Sequence, residues 1–206
     1  MHILETIALT FSLADTYLLV RNSLWNWIFG IVAVSLYFFI FLASKLYADM
    51  CLQIFYFIFQ FYGLYRWSRG KSTQRATHIK RANYLTCILG LLVGFGLFFI
   101  IVLMLRYTDS VTVYRDAFVA AFSLIAFWFT SQRYLEHWLF WIMVDSVAFA
   151  LYYHKSLYLT SGLYALFLVL GILGYMRWKQ KICAPDCKST RVNPVTLSNN
   201  DFGILE

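Results

Sequence analysis

The sequence predicts an all-α polytopic membrane protein: seven transmembrane helices, arranged as two parallel three-helix repeats joined by a linking helix. Three observations carry this reading. Of 206 residues, 61% are hydrophobic and 13% charged, where a soluble domain has roughly 45–50% and about 25%. Mostly apolar windows long enough to cross a hydrocarbon core of about 30 Å fall near 3–20, 26–44, 48–66, 84–105, 114–131, 136–153 and 157–177. The chain also matches itself when the stretch around Trp27 is laid on the stretch around Trp138.

The first window is expected to stay in the mature chain. Met1-His2-Ile3-Leu4-Glu5 lacks the basic start of a signal peptide, Asp15 interrupts the apolar stretch, and no small-residue cleavage site follows. The second and third windows form, with the first, a repeat at about 10–67. The shift that carries Trp27 onto Trp138 also carries Leu24 and Phe29 onto Leu135 and Phe140. Without a gap it carries Gly63, Arg66 and Trp67 onto Gly174, Arg177 and Trp178, and Phe11, Ser12 and Leu13 onto Phe122, Ser123 and Leu124. The second repeat is therefore about 114–178.

The fourth window, about 84–105, links the two. Three spans per repeat is an odd number, so directly joined repeats would face opposite ways, and one intervening helix makes them parallel. In this helix Gly90, Gly94 and Gly96 form a small-xxx-small pattern that suits close helix packing. Residues 1–178 are thus expected to form a transmembrane transporter domain, and 179–206, rich in Asn, Ser and Thr with Pro185 and Pro194, a mobile cytoplasmic tail.

Lys and Arg orient the bundle. The loop after the third span holds Arg66, Arg69, Lys71, Arg75, Lys80 and Arg81, and the tail holds Arg177, Lys179, Lys181, Lys188 and Arg191. Placing these inside with Arg21 and Arg133 leaves Lys45, Arg106, Arg115 and Lys155 outside, so the N-terminus is expected outside and the C-terminus in the cytoplasm. The net charge of +7 is then topogenic. Nucleic-acid binding is not expected, because the aromatics belong to the spans rather than to a basic water-facing surface.

Parallel repeats are one of the ways of building a transporter whose substrate sits near the midplane, where the halves meet. The repeats differ where a ligand would be read: Gly30 corresponds to Trp141, and Val34 to Asp145. Trp138, Trp141 and Asp145 lie at i, i+3, i+7 on one helix face, with Trp27 as the repeat counterpart of Trp138. A carboxylate in a span costs about 2.5–3.5 kcal/mol on insertion scales and usually faces a bundle interior or a cavity. An acid beside aromatic faces suits a flat cation, since the ring quadrupole and the carboxylate attract the same charge. The bland alternatives are an Asp145 that is protonated or paired with a buried Ser or Tyr, and a Trp138 that only anchors the helix at the interface.

The third span adds Gln53, Tyr56 and Gln60 on one face of QIFYFIFQ; their amides and hydroxyl could serve a substrate or a neighbouring helix. Candidate substrate-binding residues are therefore Trp27, Gln53, Tyr56, Gln60, Trp138, Trp141 and Asp145.

Residues 10–178 resemble the PnuC family of vitamin transporters, on a tryptophan pair spaced WxxW, the run KLYAD and two GxxRW motifs, as in GLYRW and GYMRW. The resemblance implies a 3 + 1 + 3 fold similar to the SWEET sugar transporters and a homotrimer in the bacterial inner membrane. It also implies uptake of nicotinamide riboside by facilitated diffusion, with an intracellular kinase trapping the vitamin. Nicotinamide riboside members often carry an Asn-Asn pair where this chain has Ala33-Val34, and Asn where it has Asp145. Thiamine carriers of the same family are the alternative, thiamine being another flat aromatic cation.

Other classes fit poorly. His2, His78, His137 and His154 fall near span ends, and neither a GxSxG elbow nor HExxH occurs, so an intramembrane enzyme is not expected. No cofactor is implied. Cys183 and Cys187 lack the two further ligands of a zinc site. A channel would be told from a carrier by radioligand counterflow.

Overall fold

The computed structural model describes residues 2–44, 47–69, 78–106, 113–154 and 158–189. These form α1 His2–Val20, α2 Trp25–Ala43, α3 Tyr47–Arg69, α4 Tyr84–Leu105, α5 Val113–Ser131, α6 His137–His154 and α7 Tyr158–Ser189. Among the described residues there is no strand; one isolated bridge pairs Lys80 with Tyr134. Helices follow from the medium that the composition demands, because in hydrocarbon every backbone amide must find its partner within its own segment.

By length and apolarity α1, α2, α4, α5 and α7 are each able to cross a membrane. The other two, α3 and α6, are the helices interrupted by Gln53, Gln60 and Asp145. Their hydropathy is diluted by side chains that the fold turns inward. The helix α7 runs past Trp178, where the transmembrane domain was expected to end, as far as Ser189. Cys183 on it is an exposed free thiol. Residues 190–206, the Lys45-Leu46 start of KLYAD, Lys71, Arg75, Lys155 and the loop 107–112 lie outside the described residues, as do the side chains of Cys187 and Lys188.

Within the first unit α1 packs on α2 and α2 on α3; in the second, α5 packs on α6 and α6 on α7. The units meet through α3 against α5 and α1 against α7, two contacts that exchange when one repeat is laid on the other. The linking helix α4 packs on α5. There Gly90 and Gly94 admit the rings of Phe129 and Phe122: a Cβ on either glycine would come within 2.7 or 2.8 Å of a ring carbon, whereas Gly96 faces open space.

One end of the bundle is built of tryptophan. Trp27, Trp67, Trp138 and Trp178 are each 2% exposed or less and share a cluster with Leu19, Val20 and Leu135. Trp27 lies edge-on to Trp67 with ring centroids 5.4 Å apart, Trp138 edge-on to Trp178 at 5.8 Å, and Trp67 meets Trp178 across the units at 6.3 Å. The indole Nε1 of Trp67 donates to Ser131 O at 3.2 Å, and that of Trp178 donates to Val20 O at 3.3 Å and Leu19 O at 3.2 Å. Val20 and Ser131 are equivalent residues of the two repeats, so the units are stapled together by a symmetric pair of bonds.

The turns entering α2 and α6 also correspond. Asn22 has φ 58° and Arg133, its equivalent, φ 59°, a left-handed conformation that Asn tolerates better than Arg. Arg133 is buried beside this turn, with its guanidinium 4.1 Å from the Trp67 ring centroid. Burial pulls its pKa down to about 10, which leaves it cationic at neutral pH. The chain entering α4 docks on the same turn. Lys80 N donates to Arg133 O, Leu135 N to Lys80 O, and Ala82 N to a carboxylate oxygen of Glu136 at 2.8 Å.

Candidate functional site

Between the two units, beside the tryptophan end, lies a cavity of about 390 Å³, within the ordinary range for small-molecule sites. All seven residues singled out from the sequence line it: Trp27, Gln53, Tyr56, Gln60, Trp138, Trp141 and Asp145. Its wall is built of repeat-related positions: Ser12 with Ser123, Trp27 with Trp138, Gly30 with Trp141, Val34 with Asp145, Gln53 with Tyr164, and Gln60 with Gly171. The cavity therefore sits on the pseudo-twofold axis.

Trp27 and Trp138 form the end wall. Each is 1% exposed, and each rests on the glycine of its own unit's third helix: a Cβ on Gly63 would fall 2.1 Å from the Trp27 ring, and one on Gly174 2.4 Å from the Trp138 ring. Their ring faces are held in the tryptophan cluster. The indole N–H groups of both are buried without a hydrogen-bond partner.

One turn further along, the halves diverge. In the first unit Gln60, 2% exposed, lies against Gly30, where any Cβ would strike its amide; the Gln60 Oε1 is buried and unpaired. In the second unit the bulk changes sides, with Trp141 on α6 and Gly171 on α7. The Trp141 indole donates to Thr130 Oγ1 at 3.2 Å and stands edge-on to Phe127 at 5.1 Å. Thr130 in turn donates to Ala126 O at 2.7 Å. Trp141 is thus held by α5, half-buried with one side toward the cavity.

Two turns into α6 stands Asp145, 7% exposed, lining the cavity with no hydrogen bond or ion pair to any described residue. Gln53 and Tyr56 line the same cavity from α3; the Tyr56 hydroxyl hydrogen-bonds Ser123, and its ring lies 5.0 Å from Phe127. The far wall carries Tyr152 and Tyr164, stacked at 5.2 Å and joined through their hydroxyls.

Several lining residues carry no sequence signal as ligands. Asn26, Ser123 and Thr130 are short polar side chains in apolar helices, and only knowing which helix face turns inward selects them. Asp15 is conspicuous in the sequence, but its surroundings are not: it lines the same cavity and hydrogen-bonds the Asn26 side chain. The described lining holds two carboxylates and no Lys, Arg or His. Among the described residues there is no group of His, Cys, Asp and Glu able to hold a metal ion.

This geometry has relatives. The chain is 23% identical over 179 residues to the nicotinamide riboside transporter PnuC of Escherichia coli K12 and to that of Shigella flexneri, covering 74% of this chain and 75% of each relative. It is likewise 23% identical to the nicotinamide riboside transporter PnuC of Neisseria mucosa, over 79% of this chain and 66% of that one. A crystal structure of the vitamin B3 transporter PnuC superposes with a TM-score of 0.71 at 21% identity, covering 88% of this chain and 82% of the other. A family model described as nicotinamide mononucleotide transporter matches residues 2–180. A multi-pass helical membrane protein with a central cavity between paired three-helix units, this chain belongs to the nicotinamide mononucleotide transporter family.

Proposed function

We propose that the protein carries nicotinamide riboside across the bacterial inner membrane by facilitated diffusion, an intracellular kinase then trapping the vitamin. One observation carries the choice of riboside: two acidic side chains and no described cation line the cavity. A pyridinium nucleoside bears one positive charge and suits that field, whereas a mononucleotide would bring phosphate oxygens toward Asp15 and Asp145. The names of the curated relatives point to the same substrate. The pyridinium ring lies beside Trp141 with its charge near Asp145, Gln53 and Tyr56 offer polar partners, and Gln60, Trp27 and Trp138 close the end wall.

The same reading includes a 3 + 1 + 3 plan akin to the SWEET transporters, a homotrimer, and an outside N-terminus with the tryptophan end on the cytoplasmic side. It involves no cofactor and no coupled ion. Titrating purified protein with nicotinamide riboside, nicotinamide mononucleotide, thiamine and riboflavin should rank the riboside first. Proteoliposomes preloaded with it should show counterflow. Absence of riboside binding, or a preference for the mononucleotide, overturns the proposal.

A further inference from the structure

Resting on the reading of a nucleoside carrier, we infer that Asp15 and Asn26 form a second recognition subsite, one that reads the vicinal hydroxyls of the sugar. Asp15 lines the cavity from α1, and Asn26, 2% exposed, from the first turn of α2. The Asn26 side chain is hydrogen-bonded to the Asp15 carboxyl group, which engages one of the amide's two N–H donors. Three acceptor oxygens on these lining residues are buried without partners: Asp15 Oδ1, Asn26 Oδ1 and, from α3, Gln60 Oε1. On the same cavity lining, the indole donors Trp27 Nε1 and Trp138 Nε1 are also buried without partners.

Buried polar atoms in a finished structure are nearly all hydrogen-bonded, and five unpaired ones around a single cavity call for a ligand carrying both donors and acceptors close together. A hydroxyl is both. Two neighbouring hydroxyls can give their protons to a carboxylate and an amide oxygen while accepting from indole N–H groups. A phosphate, an acceptor alone, would leave these three oxygens without a donor and bring its own charge toward Asp15.

Position along the bundle assigns the ends of the ligand. The end of α1 and the start of α6 lie together at the tryptophan cluster. Asp145 is about 12 Å into α6 and Asp15 about 8 Å from the end of α1, at 1.5 Å per residue. The two acids thus stand at different depths in different units, one for the charged ring and the other for the sugar. The repeat gives neither a twin, since Ala126 occupies the position of Asp15 and Val34 that of Asp145.

The test pairs a ligand series with variants. Wild type, Asp15→Ala and Asp15→Asn are titrated with nicotinamide riboside, its 2′-deoxy analogue and nicotinic acid riboside, with melting temperatures alongside. Wild type should prefer the riboside over the deoxy analogue by roughly threefold to tenfold, the effect of one buried hydrogen bond. Asp15→Ala should lose that preference, while keeping the wild-type ratio between the amide and acid ribosides. A wild type that binds no riboside refutes the carrier reading itself. A wild type that binds riboside and deoxy analogue equally, or an Asp15→Ala that retains the preference, refutes the subsite alone. A loss confined to the amide–acid ratio places the carboxamide there instead and also refutes it. Should Asp15→Ala fail to fold, Asp15→Asn, which keeps the shape and one acceptor oxygen, should reduce the preference; an unchanged preference in that variant refutes the subsite as well.

Discussion

Replacing Gly174 by Ala tests the tryptophan end most directly. The added Cβ would fall 2.4, 2.5 and 2.6 Å from three atoms of the Trp138 ring, and ordinary contact requires at least about 3.4 Å, so the indole or the helix must move by close to 1 Å. Trp138 is hemmed in on every side but the cavity. It is 1% exposed, its ring is 4.5 Å from His137 on one side and 5.8 Å from Trp178 on another, and Trp178 is itself tied to Leu19 and Val20. Overpacking of this kind costs about 1–3 kcal/mol, and at about 2–4 °C per kcal/mol for a chain of this size the melting temperature should fall by roughly 2–12 °C. Gly63→Ala, whose Cβ would sit 2.1 Å from the Trp27 ring, should do the same through the other unit. Gly96→Ala is the control, since its Cβ meets nothing within 4 Å and a helical Gly→Ala exchange is otherwise favourable by up to about 1 kcal/mol. The assay is thermal unfolding of purified protein in one detergent, with Trp138→Phe added to Gly174→Ala to test for coupling. If Gly174→Ala melts with wild type, or the double variant loses as much as the sum of the singles, the glycine is not a seat for the indole.

Three further outcomes follow from the same geometry. Asp145→Asn should leave the melting temperature near wild type and weaken binding of nicotinamide riboside by tenfold or more, while the neutral reduced riboside loses little; equal losses would return Asp145 to the scaffold. Trp141→Ala should weaken the riboside by roughly 1–3 kcal/mol, from a partly desolvated cation–π contact plus lost apolar contact, and normal transport by this variant would show that the ring is bound elsewhere. A reporter fused after Lys181 should lie in the cytoplasm and one in the loop 107–109 outside, as the Lys/Arg distribution requires; the reverse labelling would invert the orientation.

The fold was legible because its two strongest signals are global. Apolar length marks spans regardless of neighbours, and an in-register internal match such as Gly63-Arg66-Trp67 on Gly174-Arg177-Trp178 fixes unit boundaries without any structure. The contacts between units were not legible. Nothing in the pattern says that Trp67 reaches Ser131 or that Trp178 reaches Val20, because the rotation of one unit against the other leaves no periodicity in either. Asp145 stood out through its cost in an apolar helix, and so did Asp15, yet only the placement of α1 against α2 gives Asp15 its partner Asn26. Trp27 and Trp138 show how spacing can select a residue and misjudge its aspect. Their rings pack in the tryptophan cluster, and it is their N–H edges that are left unpaired.

The division between matched and mismatched positions has a physical reason. A cavity on a pseudo-twofold axis, with identical halves, would present each group twice and could read only a solute that is itself symmetric. A nucleoside has a charged flat ring at one end and a hydroxyl-bearing sugar at the other. Of the matched pairs here, Trp67 with Trp178 holds the units to each other at one end of the bundle, where equivalence makes two contacts from one design, and Trp27 with Trp138 and Gly63 with Gly174 pack within each unit behind that joint. The mismatched pairs line the cavity: Gly30 against Trp141, Gln60 against Gly171, Val34 against Asp145. In the first unit Gln60 fills the space beside Gly30, whereas in the second Trp141 is held by Thr130 and Phe127 and Gly171 lies against Ile142. The chemistry facing the axis therefore differs on its two sides. Filling Gly171 with a side chain, or emptying Trp141, disturbs that arrangement in the second unit only, whereas the same volume change at Gly63 or Gly174 acts on the joint between the units.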